Sequence, residues 1–439
     1  MSTSSPLEVP ASPASSKRSA SRDSIRSSAA VSALSIGSSP AGSARSGDGR
    51  SSTEDVIEYP LPWFLRQSKT GRFEKFENIQ YMDQSRWKDA QSHTDSPSRW
   101  ARVTGPIPAQ RNRYVNVDPF AANRVRLRVP EDHDDYINAS PIVLQSTKTG
   151  AVKRYIATQG PKENTHSHIW RMIWHECESP AVIVMLTQLY EAGREKCFQY
   201  FPDSPESPQM VVNEHDEFGD NLVFEIKVLS ISEDEGSRST VRELEIKDRA
   251  SGETKKVWHI LWSVWPDFGV PEGAHKHLLA NLIPLSREKN ASENNPRIVH
   301  CSAGVGRSGT FIALDHLTSE LAEGALDEVP EGKDPIDETV DYLRTQRMMM
   351  VQQDSQFALI YETLREKWID RWREREGLPP LKRVTTSGRG SSEESGAEGG
   401  AGAEAKRSGG SADAEERDAK VARFASELEA ELRQNVAAA

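Results

Sequence analysis

Between an apolar run ending at Val299 and a segment rich in helix formers lies His300-Cys301-Ser302-Ala303-Gly304-Val305-Gly306-Arg307-Ser308-Gly309-Thr310. Few folds accommodate this stretch. Its glycines and small neighbours let the backbone curl until successive N–H groups point into one concavity. A strand must deliver the loop and a helix must leave it, which calls for a layered arrangement of sheet and helices. The helix that starts near Gly306 adds its positive end, and Arg307 can grip two oxygens of one anion. Residues 302–307 thus form a cradle suited to phosphate: Ser302, Ala303, Gly304, Val305, Gly306 and Arg307. Cys301 then sits under the phosphorus, where a positive field lowers a thiol from its free pKa of about 8.5 and makes it a thiolate nucleophile. The bland alternative is a buried cysteine beside an ordinary turn, but nucleophile, arginine and strand-loop-helix context occur here together.

The ends of the 439-residue chain differ from its middle. Residues 1–58 are dominated by Ser, Ala, Arg and Gly, and 378–411 by Gly, Ser, Ala and Glu; both are expected to remain disordered, because neither can bury enough apolar surface to offset ordering entropy. A catalytic domain is expected over 59–377. Near the C-terminus, within 412–439, Val421, Phe424, Leu428 and Leu432 recur at helical spacing, the pattern of a short amphipathic docking helix or of a frayed charged tail. Ser5-Pro6, Ser12-Pro13 and Ser39-Pro40 are candidate phosphorylation sites. Residues 16–39 carry the Arg, Ser and Ala of a mitochondrial presequence, against which Glu8 and Asp23 argue.

The three cysteines, Cys177, Cys197 and Cys301, are too few for a disulfide framework. They point to a reducing compartment, cytoplasm or nucleus. The longest apolar run, 181–186, falls far short of the ~20 residues of a membrane span. A net charge of -11 argues against nucleic-acid binding. A cluster of Arg111, Arg113, Arg124, Arg126 and Arg128 is expected at the pocket rim, where local field outweighs total charge. His166 with His168, or His175 with Cys177, lack the spacing of a zinc site, so neither metal nor cofactor is expected.

Strand candidates are 136–139, 155–158, 181–186, 222–229, 242–248, 256–264 and 298–300, with short helices over 59–87. Longer helices are expected at 164–178, 274–288, 305–322, 336–346 and 354–372. The fold class is therefore α/β or α+β, a central twisted mixed sheet flanked by helices.

Trp265-Pro266-Asp267-Phe268-Gly269-Val270-Pro271 combines two stiffening prolines with a flexible glycine, which suits a loop that closes as one piece; by itself it reads equally as a turn with a solvated Asp. Beside the Cys301 loop it completes a resemblance. The two segments resemble the signature loop and the mobile acid loop of the cysteine-dependent protein tyrosine phosphatases, in their tyrosine-specific, non-receptor branch. Other phosphatases share the shorter Cys-x5-Arg, and an inert binding module of the same fold would have lost Cys301, Asp267 or Arg307. Further segments extend the likeness. Asn112-Arg113-Tyr114-Val115-Asn116-Val117 resembles the family's phosphotyrosine-recognition loop, with Asn116 where Asp is frequent. Glu191-Ala192-Gly193-Arg194-Glu195-Lys196 resembles the loop whose glutamate pairs with the signature arginine, although alone it is a charged turn. Met350-Val351-Gln352-Gln353-Asp354-Ser355-Gln356 resembles the glutamine loop.

The resemblance implies hydrolysis of phosphotyrosine in proteins through a phosphocysteine intermediate, in tyrosine phosphorylation signalling. Cys301 is the implied nucleophile, Asp267 the general acid and then base, and Arg307 the phosphate grip. Gln352 is implied to hold the hydrolytic water, with Gln356 beside the substrate. Tyr114 and Asn116 would line a slot too deep for phosphoserine. His300, Ser308, Glu191 and Lys196 are implied to support these groups: His300 tunes the thiolate, Glu191 orients Arg307 and Lys196 steadies Asp267. Cys177 and Cys197 read as packed hydrophobes. Expected partners are phosphotyrosine proteins and docking partners of the tails, with the chain a monomer.

Overall fold

The structure is a computed structural model that describes residues 59–92, 97–204, 206, 209–266, 269–379 and 381. Asp267, the serine-rich tail, the 16–39 stretch and the 412–439 segment lie outside the described residues, as do the expectations attached to them.

Eight strands form one sheet in the order β1-β2-β10-β3-β9-β8-β7-β6. They are β1 (Ala139–Gln145), β2 (Val152–Thr158), β3 (Ala181–Met185), β6 (Gln209–Val212), β7 (Phe224–Asp234), β8 (Ser239–Asp248), β9 (Thr254–Leu261) and β10 (Arg297–His300). A separate two-stranded ribbon joins β4 (Tyr190–Glu191) to β5 (Arg194–Glu195). The middle strands β2, β10, β3 and β9 run parallel, and the flanking pairs are antiparallel. The sequence dictates this division. Ala-Val-Ile-Val-Met of β3 is buried at every position, as a strand covered on both faces must be, whereas the outer β7 alternates toward solvent.

Seven α-helices cover the sheet among the described residues: α1 (Lys69–Ser92), α2 (Pro106–Arg111), α3 (His166–Glu176), α4 (Ala274–Glu288), α5 (Gly306–Glu323), α6 (Pro335–Gln346) and α7 (Asp354–Arg375). Two clusters of buried side chains result. One joins α1, α4, α5, α6 and α7 to one face, and the other packs α3 through Ile169, Trp170 and Ile173 against Ile183, Ile246 and Ile298.

The expected helices at 164–178, 274–288, 305–322, 336–346 and 354–372 appear within a few residues of their bounds. Other expectations need correction. In place of several short helices over 59–87, a 3-10 turn at Trp63–Arg66 leads into the single 24-residue α1. Only Phe76, Ile79 and Arg86 of α1 are buried, so its sequence shows no continuous apolar stripe. The strand expected at 136–139 begins only at Ala139 and runs on through Pro141 to Gln145. Tyr136 instead makes an isolated bridge to Arg126. Proline is tolerated because β1 lies at the sheet edge. The short β6 carries no periodic signal and was not expected.

The fold places the phosphate-cradle sequence at the carboxyl end of β10, in the parallel centre of the sheet, with α5 leaving from Gly306. Two glycines make this possible. Gly304 has φ +71°, and a Cβ there would lie 2.1 Å from the Thr158 carbonyl oxygen; at Gly309 it would lie 2.4 Å from the Val351 nitrogen. Gly304→Ala is expected to cost about 2–4 kcal/mol of stability, from left-handed strain plus overpacking, read as a lowered denaturation midpoint. An unchanged midpoint would mean that the loop is free to move off β2.

Candidate active site

Cys301 is 5 % exposed at the base of the loop, and the Gly304 N–H points at its sulfur from 3.3 Å. Burial pushes the thiol up, but the Ser308 hydroxyl and N–H, the Arg307 charge and the Gly304 N–H together bring it below its ordinary value. The Ser308 hydroxyl makes no aligned hydrogen bond to any other protein atom, which leaves it available to the sulfur. Cys177 and Cys197 each have one lowering neighbour, Lys255 and Arg113, which burial outweighs. Burial drives Cys177 up to about 12 and Cys197 higher still. Iodoacetamide at neutral pH is therefore expected to label Cys301 first, by mass spectrometry of the intact fold; equal labelling of all three would remove the case for a special thiolate.

Arg307 enters from the first turn of α5. It donates to both carboxylate oxygens of Glu191, at 2.6 and 2.8 Å, and to the Leu186 carbonyl at 3.1 Å. Glu191 reaches it because Ala192 and Gly193, both at positive φ, turn β4 tightly into β5. Thr187 and the Gln188 N–H also donate to Glu191. Burial would raise its carboxyl, but the Arg307 bonds and charge hold it below the usual range. Arg307 also lies over the Trp265 ring, 5.7 Å from its centroid, and its Nη2 is 3.5 Å from the Pro266 carbonyl. The segment that carries Asp267 thus begins against the arginine.

Tyr114 stands across the opening. Its hydroxyl lies 2.8 Å from Ser302 Oγ, which in turn donates to the Lys196 carbonyl at 2.9 Å. Tyr114, Asn116, Lys196, Cys301, Arg307 and Gln352 line one cavity of about 380 Å³. Gln356, on α7, is buried and accepts from the Gln352 and Gln353 N–H groups, so its amide fixes the turn that presents Gln352. Ala303, Gly306, Glu191 and Gln356 also line this cavity, whereas His300, Val305 and Ser308 stand behind it and Gly304 closes on Thr158.

A protein-tyrosine phosphatase model matches residues 108–366. The chain belongs to the protein-tyrosine phosphatase family. It is 37% identical over 330 residues to Tyrosine-protein phosphatase 1 of Saccharomyces cerevisiae, across 68% of this chain and 95% of that protein. It is 35% identical over 278 residues to human Tyrosine-protein phosphatase non-receptor type 2, across 63% of this chain but 60% of that protein, so it spans less than two thirds of that relative. The crystal structure of the catalytic domain of human protein tyrosine phosphatase non-receptor type 18 superposes with a TM-score of 0.54 at 28% identity, over 68% of this chain and 96% of that one. The phosphatase domain is a hydrolase acting on phosphotyrosine in proteins.

The phosphatase site also depends on residues whose role no sequence pattern signals. Arg347 is fully buried and donates to the carbonyls of Gly304 (2.9 Å) and Ala303 (3.1 Å), to Asn138 Oδ1 (2.7 Å) and to Ser140 Oγ (3.1 Å). It ties off the outward carbonyls of the cradle, so that the N–H groups face inward. Burial lowers it to about 10. Nothing in Thr345-Gln346-Arg347-Met348 signals this. A second group lies behind His300. Its Nδ1 is 3.0 Å from the Cys301 carbonyl, which can only accept, so Nδ1 carries the proton and Nε2 accepts from Tyr200 at 2.7 Å. His259 Nε2 then donates to the Tyr200 oxygen at 3.1 Å. Burial pushes His300 down to about 4 and His259 well below its usual value. The unfolded chain binds these protons at higher pH than the folded one, so stability is expected to fall as pH drops from about 6.5 toward 4. Each histidine contributes up to ~1.4 kcal/mol per pH unit, measurable by denaturant titration.

The arginines expected near the rim do not line the cavity. Arg111 binds the Tyr136 carbonyl, Arg113 the carbonyls of Gly160 and Pro161, Arg124 and Arg126 share Asp135, and Arg128 approaches Glu176. Backbone acceptors and neighbouring carboxylates hold these cations in the scaffold. The histidines weighed as metal ligands are likewise engaged, His168 by Glu217 and His175 by the Arg171 carbonyl.

Proposed function

We propose that this chain removes phosphate from phosphotyrosine in proteins by a two-step covalent route, with its own residues in the following roles. The Cys301 thiolate attacks phosphorus while Arg307 and the N–H groups of residues 302–307 hold the equatorial oxygens. The bond from phosphorus to the tyrosyl oxygen breaks, and Asp267 gives that oxygen its proton. Water held by Gln352 then attacks the phosphocysteine, Asp267 takes the water's proton, and inorganic phosphate leaves with the thiolate restored. Lys196 and Gln356 position Asp267 and Gln352. The observation that carries this reading is the convergence of a lowered Cys301 thiol, the Arg307–Glu191 pair and Tyr114 on one cavity.

Tyr114 supports specificity for the long aromatic ester, because an aromatic wall at the opening would keep a short phosphoserine from reaching the sulfur. Tyr114→Ala is expected to raise KM for phosphotyrosine peptide about tenfold or more and to narrow the preference over phosphoserine peptide. An effect confined to kcat would contradict the role of a wall.

We further assign the catalytic domain to 59–377, acting as a monomer in the reducing cytoplasm or nucleus within tyrosine phosphorylation signalling, with the tails as regulatory and docking segments. Three free cysteines and the absence of any helix apolar enough to cross a membrane among the described residues support this setting. The ends of the domain are anchored: Arg373 donates to the Tyr59 hydroxyl and the Pro379 carbonyl, and Trp368 to the Pro60 carbonyl. A chain trimmed to 59–381 is expected to keep its melting temperature and its activity on a small aryl phosphate; a large loss of either would place part of the core outside those bounds.

A further inference from the structure

A second cavity, of about 130 Å³, opens at the end of β10 opposite Cys301. Its lining includes Lys153 and Arg154 from β2, Arg287 from α4, Arg297 from β10, and Glu293 with Asn290 from the α4–β10 loop. Beneath them lies Asp315 of α5, fully buried, which receives Arg287, Arg297, the Tyr155 hydroxyl at 3.0 Å and Lys153 at 3.8 Å. Four cations against the three carboxylates Asp315, Glu293 and Glu178, the last accepting from the lining Ser292 hydroxyl, leave an excess of one positive charge. Arg154 is exposed and forms no ion pair among the described residues, and Glu293 pairs with none of the four cations. Arg297 is 4 % exposed, and its guanidinium is engaged on the cavity wall, Nη1 by Ser286 Oγ at 2.7 Å and Nη2 by Asp315. Lys153 registers its burial first and the neighbouring arginines second. Burial, opposed by Asp315 and reinforced by Arg287 and Arg297, holds its ammonium down to about 8.

Asp315 offsets Arg287 and Arg297, which leaves Arg154 and Lys153 as the charges that an added anion would complete. A cleft of this size admits one tetrahedral oxyanion. The exposed guanidinium of Arg154 suits such an ion because its paired donors match the ion's oxygens. We propose that this cavity binds a phosphate group, either as the free ion or as the head of a small phosphate ester whose remainder stays outside. The site is separate from the catalytic cradle: Arg297 and Cys301 stand at opposite ends of a four-residue strand, about 13 Å apart at the usual rise.

The test uses the full chain carrying Cys301→Ser, with its cleft saturated by a phosphotyrosine peptide that it cannot turn over. The peptide's own binding reports on the cleft independently. Calorimetric titration with inorganic phosphate is then expected to show one remaining site. Adding Arg154→Glu, a change at an exposed and unpaired residue, should weaken that site at least tenfold and leave peptide affinity unchanged. A parallel titration with O-phosphoserine identifies the source: tighter binding than phosphate assigns the ester, and binding of phosphate alone assigns the free ion. No phosphate binding once the cleft is filled, or binding indifferent to Arg154→Glu, would overturn the proposal.

Discussion

Cys301→Ser is expected to abolish turnover, by at least about four powers of ten in kcat, while leaving phosphotyrosine binding in place. The loss follows from chemistry as much as from position. The loop lowers a thiol enough to ionise it, but the same donors cannot ionise a hydroxyl, and no base stands ready to do so. His300, the adjacent histidine, has both ring nitrogens engaged, one with the Cys301 carbonyl and the other with Tyr200. Binding should survive because Arg307 is oriented by Glu191 and the cradle is tied from behind by Arg347, neither of which touches the sulfur. Rapid-quench analysis with labelled phosphopeptide should find no phosphoenzyme. Residual turnover near that of the parent would rule out a covalent route through this residue.

Asp267→Ala separates the two halves of the reaction. The nucleophile remains, so substrate binds and phosphorus can be attacked, but the tyrosyl oxygen must leave without its proton. kcat on phosphotyrosine should fall by roughly two to four powers of ten, the usual worth of general acid catalysis. The fall should be smallest for aryl phosphates whose phenols are acidic enough to leave as anions. That dependence on leaving group distinguishes proton donation from misfolding, which would affect every substrate alike. An equal loss on activated and unactivated esters would move the acid to another residue. The position of the loop start is consistent with the role, since Arg307 lies against both Trp265 and Pro266.

The sequence alone determined the chemistry of the centre. A strand, a glycine-rich curl, a cysteine, an arginine and a helix in that order leave little freedom, because each is a local requirement written in consecutive residues. The five long helices and the central strands were legible for the same reason: their apolar periodicity is local. What sequence could not supply was anything that depends on residues distant in the chain meeting in space. α1 lacks an apolar stripe because it buries only Phe76, Ile79 and Arg86, so its length followed from packing on α6 and α7. Pro141 concealed β1 because only tertiary structure shows that strand to lie at an edge. The arginines of 111–128 looked like a site and proved to be scaffold, since a guanidinium reads the same in sequence whether it faces a phosphate or a backbone carbonyl. Conversely Arg347, 46 residues beyond Cys301 in the chain, looked ordinary and proved to tie the carbonyls of Ala303 and Gly304. Which charges act and which merely hold is decided by the acceptors within about 3 Å of each, and those are chosen by the fold.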